Sequence, residues 1–296
     1  MPRKRDPKDW LPNVEEFLDR KDQRVFSYQE LSRLFNAQQS DLRIPGSTSF
    51  TRFLTTLVEQ SHIQEFVARR ENRRSSEGAK KRYVWRHASP YSLGTALVKG
   101  SYLSHASAMF LHALTDQIPK TIYVNKEQSP KPTPRGSLSQ PAIDRAFESS
   151  PRTSKYIFTT SDYRYVLLSG KNTGRLEVTD VQDPFGDTVY TTKIERTLID
   201  IVVRPTYSGG VFEVLRAYKT ARDRISVNTL FAMLKKLQYV YPYHQSIGFL
   251  MERAGYSETA LAKCHRLGIQ WDFYLDHKIK NPSFNERWRL HYPQGL

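Results

Sequence analysis

The stretch STSFTRFLTTLVEQ, Ser47 to Gln60, with the runs HIQEFV, RRENRRSSEGAKKR and YVW that follow it to Trp85, decides how the chain is read. Phe50, Phe53, Leu54, Leu57 and Val58 recur at i, i+3, i+4, i+7 and i+8, the rhythm of an amphipathic helix. The opposite face collects Thr48, Ser49, Arg52, Thr55 and Thr56, short hydrogen-bonding side chains around one long cation. Such a face suits a base edge and a phosphate. Two β-prone runs follow, Ile63–Val67 and Tyr83–Trp85. The loop between them carries seven Lys/Arg (Arg69, Arg70, Arg73, Arg74, Lys80, Lys81 and Arg82) against two Glu. Helix, strand, basic hairpin and strand in this order read as the recognition helix and wing of a winged helix-turn-helix. Each part alone has a plainer reading, a core helix beside a solvated loop.

What precedes the stretch strengthens the DNA-binding reading. Trp10, Val14, Phe17 and Leu18 suggest a first helix. Ser27-Tyr-Gln-Glu30 is a capping-box pattern opening a second helix that bears Leu31, Leu34 and Phe35. Pro45-Gly46 then breaks the chain before Ser47. Three helices and a wing fit residues 1–90.

The chain has 296 residues, a formal net charge of +15 and a sequence pI near 9.8. That length suits two domains, and that charge favours an anionic partner such as nucleic acid or a membrane surface. Residues 1–90 hold 18 Lys/Arg and 12 Asp/Glu, so most of the positive surplus lies beyond them. Cys264 is the one cysteine, which excludes an intrachain disulfide and a cysteine-based zinc site. No apolar run approaches the roughly 20 residues that span a bilayer, so a soluble, cytoplasmic protein is expected. Arg3, Lys4 and Arg5 read as a solvated terminus or as an arm reaching phosphates.

After Trp85, RHASPYSLG reads as a linker, and residues 91–296 as a second domain. There, Ser101–Leu114 is expected to be helical. Thr121–Lys126, Tyr156–Thr160, Tyr163–Leu168 and Leu176–Val181 are β-prone, and Gly170 to Gly174 is expected to be a hairpin turn. From Lys193 onward helices take over, with Ser226 as a cap and further helical stretches at His244–Ala254 and Ser257–Leu267, and Ile269–Leu275 is a last β-prone run. Strands early and helices late suggest an α+β class for this larger mixed domain.

No catalytic constellation stands out. Gly170-Lys171-Asn172 lacks phosphate-loop spacing. His105 and His112 lie two turns apart on the expected helix, where zinc pairs prefer one turn and an acidic partner. The acids Glu177, Asp180, Asp183 and Asp187 lack the pattern of a restriction-type nuclease. No Ser/His/Asp triad is suggested, so neither an enzyme nor a metal or cofactor is expected.

The segments YLSHASAMFLHALTDQIPKTIYV from Tyr102, KIERTLID with RP, SGG and EVL from Lys193, and YPYHQSIGFLMERAGY from Tyr241 resemble the abortive-infection AbiEi antitoxin family. The resemblance implies an antitoxin of a type IV toxin–antitoxin pair used in phage defence. It implies that the winged domain binds inverted repeats in double-stranded DNA upstream of its operon and represses it. It further implies that the second domain counters a nucleotidyltransferase-like toxin without a stable complex. Arg196, Asp200 and Arg204 are the exposed candidates for that action. Two other functions compete: a winged-helix-targeted restriction-type nuclease, for which Asp180→Ala would be the control, and a stand-alone transcription factor whose second domain senses a ligand or dimerises.

Overall fold

The computed structural model describes residues 7–71, 78–131 and 138–296. After a 3-10 turn at Pro7–Asp9 come α1 (Leu11–Asp19), β1 (Val25–Phe26), α2 (Tyr28–Gln38), α3 (Phe50–Gln60), β2 (Ile63–Arg70) and β3 (Lys80–Trp85). The capping box forms: the Ser27 hydroxyl accepts from the Glu30 amide, and the Glu30 carboxylate accepts from the Ser27 amide at 2.8 Å. These bonds satisfy two donors that a helix start leaves orphaned and so fix where α2 begins. Val14, Leu18, Leu31, Phe35, Phe53 and Leu57 from the three helices close on Tyr83 and Trp85 of β3 in one apolar core. Asp19, at the end of α1, accepts from the Trp85 indole at 2.8 Å and from two Arg86 nitrogens at 2.6 and 2.7 Å. That clamp fastens the end of β3 to α1.

The segment expected as a linker is folded. The Ser89 hydroxyl accepts from the Ser92 amide at 2.9 Å and Pro90 takes the first turn, so α4 (Pro90–Ala96) starts where breakers were read. Next come β4 (Tyr102–Leu103), α5 (Ala106–Leu111), β5 (Thr121–Glu127), α6 (Gln140–Glu148), β6 (Ile157–Thr159), β7 (Arg164–Gly170), β8 (Val178–Gln182) and β9 (Thr188–Thr192). The helices α7 (Ile194–Val203), α8 (Val211–Ala221), α9 (Val227–Leu237), α10 (Tyr243–Arg253) and α11 (Glu258–His265) follow. A small sheet of β10 (Phe273–Tyr274), β11 (Ser283–Asn285) and β12 (Leu290–Tyr292) closes the chain.

The fold is thus α and β mixed around a large sheet. Nine strands run in the order β1-β3-β2-β6-β7-β5-β4-β9-β8. Main-chain pairing therefore passes across residue 90, with Arg69 opposite Thr159 and Arg70 opposite Phe158. Ile122, Val124, Tyr165 and Leu167 of the central strands pack with Ala68 of β2 and Tyr91 of α4. The largest core joins α7 to α11, with Leu198, Tyr218, Met233 and Phe249 buried in it.

Two further expectations change. The run Ser101–Leu114 is not one helix: Tyr102 and Leu103 pair with β5 and β9, and His105, at φ +53°, bends the chain into the short α5. Pairing outweighs the helix propensity of its Ala, Leu and Met. Gly170 to Gly174 is no hairpin turn either, because β7 and β8 lie four places apart in the sheet. The loop is instead strapped to β5, where the Glu127 carboxylate accepts from the Thr173 amide and hydroxyl and from the Arg175 amide.

The Asp19 clamp has a defined pH signature. The Arg86 hydrogen bonds, helped by the Trp85 indole, hold its carboxyl down from an ordinary 3.8 to about 2. A depressed carboxyl stabilises the fold above its ordinary value and loses that contribution as pH falls through the folded value. Asp19→Asn is expected to lower the melting temperature at pH 7 and to flatten the fall in stability between about pH 4 and about pH 2. Parallel thermal melts of both proteins across that window check it.

Candidate nucleic-acid interface

Ser49 caps α3, its hydroxyl accepting from the Arg52 amide at 3.3 Å. The helix buries Phe53, Leu54 and Leu57 and turns Thr51, Arg52, Thr55 and Glu59 to solvent. The Arg52 guanidinium is exposed and has no hydrogen-bond or ion-pair partner among the described residues, which leaves its five N–H donors open. Thr48, one turn earlier, is half-buried. Thr56 departs from expectation: only 7% exposed, it lies three residues past Phe53 on the inward side. The buried stripe is wider than the aliphatic and aromatic residues alone mark out, because a threonine methyl packs like an apolar group.

The hairpin also differs from a loop of uniform cations. Strands β2 and β3 extend further than the β-prone runs suggested, so Arg69, Arg70, Lys80, Lys81 and Arg82 lie in paired strands. Arg73 and Arg74 fall outside the described residues. A strand alternates its faces with period two, and that alternation divides the cations. Arg69 and Lys81 share a face with Val67, which is 43% exposed. Arg70, Lys80 and Arg82 share the other face with Phe66 and the buried Ala68.

Their partners follow from that division. Lys81 pairs with Glu65. Arg70 lies 4.8 Å over the ring of Tyr156, a residue whose part in the site no sequence pattern marked. Arg82 donates to the Ala96 and Leu97 carbonyls, both at 2.7 Å, and so caps the C-terminal end of α4. It was expected among the DNA contacts; its guanidinium is spent on these carbonyls, satisfying acceptors that a helix end leaves open.

The candidates in the second half need a similar correction. Arg196 and Asp200 are 4% and 7% exposed, not on the surface, and pair with each other at 2.8 Å. Arg196 also donates to the Leu176 carbonyl at 3.2 Å. Burial works against its charge, but the Asp200 carboxylate outweighs burial and keeps the guanidinium charged. The i, i+4 spacing was visible in the sequence; the strap 170–176 and the sheet that cover it were not. Arg204 is half-exposed and donates to the Arg152 carbonyl at 3.4 Å.

Most of the remaining residues weighed as chemistry have structural partners. Glu177 pairs with Lys193 at 2.8 Å. Asp187 accepts from the Ser89 amide at 2.7 Å, and one Asp183 oxygen accepts from the Phe185 and Asp187 amides. Asp180 stands exposed on β8. His105 shares a 2.9 Å hydrogen bond with the Ser104 hydroxyl, and His112 one of 2.5 Å with the Thr192 carbonyl.

Arg82→Lys separates a cap from a phosphate contact, since a lysine holds a phosphate as a point charge but cannot reproduce a fork on two carbonyls. It is expected to cost about 1–3 kcal/mol of stability in urea unfolding. The salt dependence of any DNA binding should stay unchanged.

No protein-family model and no curated protein matches the chain. The crystal structure of the RV2827C protein from Mycobacterium tuberculosis is similar to it, with a TM-score of 0.57 at 13% identity, over 96% of this chain and 91% of that one. At that identity the likeness establishes a shared fold.

Proposed function

We propose that residues 7–86 form a winged helix-turn-helix that binds double-stranded DNA, and that the chain is a DNA-binding antitoxin which represses its own operon. The observation that carries the DNA half is α3: its apolar face is consumed by the core, and its outward face presents Arg52 with no partner among the described residues. The basic hairpin follows it directly. α3 is the recognition helix, and Arg69 and Lys81, on the more exposed face of the hairpin, grip phosphates. The antitoxin half rests on the resemblance of the segments from Tyr102, Lys193 and Tyr241 to the AbiEi family. On that reading the target is a nucleotidyltransferase-like toxin met without a stable complex, the setting is the cytoplasm, and no catalysis is needed.

Within this reading Arg52 discriminates sequence, and Ser49 and Thr55 support it. Arg52→Ala is expected to cost about 1–3 kcal/mol on the operator and much less on scrambled DNA. Equal losses on both would leave Arg52 as a phosphate contact. Replacing Arg69 and Lys81 with alanine should instead weaken binding to every sequence alike and reduce the log–log salt slope by about 1.8. Competition titrations at several salt concentrations measure both effects.

Neutralisation is assigned to the residues beyond α4, among which the half-exposed Arg204 remains the candidate contact. Full-length protein carrying Arg52→Ala and Arg69→Ala is expected to rescue growth of bacteria expressing the toxin as well as the unaltered protein does. Failure of this folded, normally expressed variant would route antitoxicity through DNA and reject the assignment.

A further inference from the structure

The hairpin of the proposed DNA-binding unit does not project freely. Beyond the two residue pairs of β2 with β6, the Glu71 amide donates to the Ile157 carbonyl at 2.9 Å. The Glu71 carboxylate then accepts from two nitrogens of Arg164, at 3.1 and 2.9 Å. Arg164 begins β7, paired opposite Thr159 of β6, and its own amide donates to the Lys120 carbonyl at 3.0 Å. A two-pronged guanidinium–carboxylate contact fixes orientation as well as distance. It does so one residue past the end of β2. Phe66 meets the ring of Tyr165 edge-on at 6.2 Å one residue further along β7, so the same strand steadies the hairpin at a second level.

We propose that Arg164, far along the sequence and outside the DNA-binding unit, is a positioning residue for DNA binding: through Glu71 it sets the angle at which the hairpin meets the duplex. This rests on the DNA-binding reading given above. The geometry gives Arg164 this part because Glu71 occupies both prongs of its guanidinium fork, the donor pair with which an arginine would otherwise clasp a phosphate. Binding on a hairpin whose angle is left loose loses affinity to the cost of ordering it.

Glu71→Gln gives the test its sign. The substitution removes a negative charge from a basic surface, so simple electrostatics predicts tighter DNA binding. Positioning predicts the opposite, a loss of about two- to fivefold, the scale of a half-exposed ion pair, with the salt slope unchanged. The exchanged pair Glu71→Arg with Arg164→Glu keeps net charge and should recover most of the loss, whereas Arg164→Glu alone should not. Affinities of the full-length proteins would be measured by fluorescence anisotropy on a duplex spanning the chain's own promoter and on a random-sequence duplex. Circular dichroism melts would confirm the fold of each variant. Glu71→Gln binding as well as or better than the unaltered protein overturns the proposal and leaves the DNA-binding reading standing. Failure of the exchanged pair to recover affinity, with its fold intact, also overturns it. Absence of binding by the unaltered protein to either duplex rejects the DNA-binding reading, and this inference with it.

Discussion

Pairing of Arg69 with Thr159 and of Arg70 with Phe158 joins what would otherwise be two sheets, each with a bare edge. An unpaired edge offers its amides and carbonyls to any other strand, and proteins cover such edges or pair them. Here the short β6 is paired on both sides, by β2 and by β7. Around that joint lie Arg82 on the end of α4, Glu71 on Arg164 and the Asp187 carboxylate on the Ser89 amide. Each contact links one half of the chain to the other. Cutting at residue 90 would strip β2 from β6 and leave the acceptors at the end of α4 open.

A second constraint lies deeper. The buried Arg196, Asp200 and Tyr102 join the half-buried Glu127 and Thr173 in a polar network that fastens α7, β5 and the strap 170–176 together. Tyr102 donates to Glu127 at 3.0 Å and accepts from Asn125 at 2.7 Å, and Gly170 leaves the space that Asn125 fills. Removing one partner of a buried ion pair leaves the other charge uncompensated, at about 3–5 kcal/mol. The motif IERTLID thus owes part of its pattern to folding: Arg196 and Asp200 hold the strap in place. Loss of neutralisation in an Arg196 variant would therefore report on structure before it reported on a partner.

What could be read from the residues divides along physical lines. Helix starts marked by local chemistry were visible: the capping box at Ser27 and the cap at Ser226 both form. The apolar period of α3 and the two strands flanking the basic hairpin were visible as well. Elements defined by distant partners were not. Strand β4 has two residues and exists because β5 and β9 flank it. Strand β9, TVYTT, lies between the Asp187 turn and α7 and carries no apolar run. Helix α6 has Pro141 near its start, a residue that suits a first turn but reads as a breaker beside Pro130 and Pro132.

The candidate interface divides in the same way. Composition counts cations, but it does not say which are already in use. Arg82, Arg164 and Arg196 all add to the net charge of +15, yet each is engaged by carbonyls or a carboxylate of the chain itself. Arg52 is not so engaged: it is exposed, its guanidinium has no partner among the described residues, and its neighbours on the helix are hydroxyls. Because the sheet is continuous, a duplex docked on the hairpin as proposed would be felt at β6 and β7, and a change at β7 would reach the hairpin by the same route. Linkage of this kind is reciprocal. Testing the two proposed activities apart therefore calls for substitutions at exposed positions of α3 such as Arg52, whose guanidinium has no hydrogen-bond or ion-pair partner among the described residues, and not for truncation between the halves.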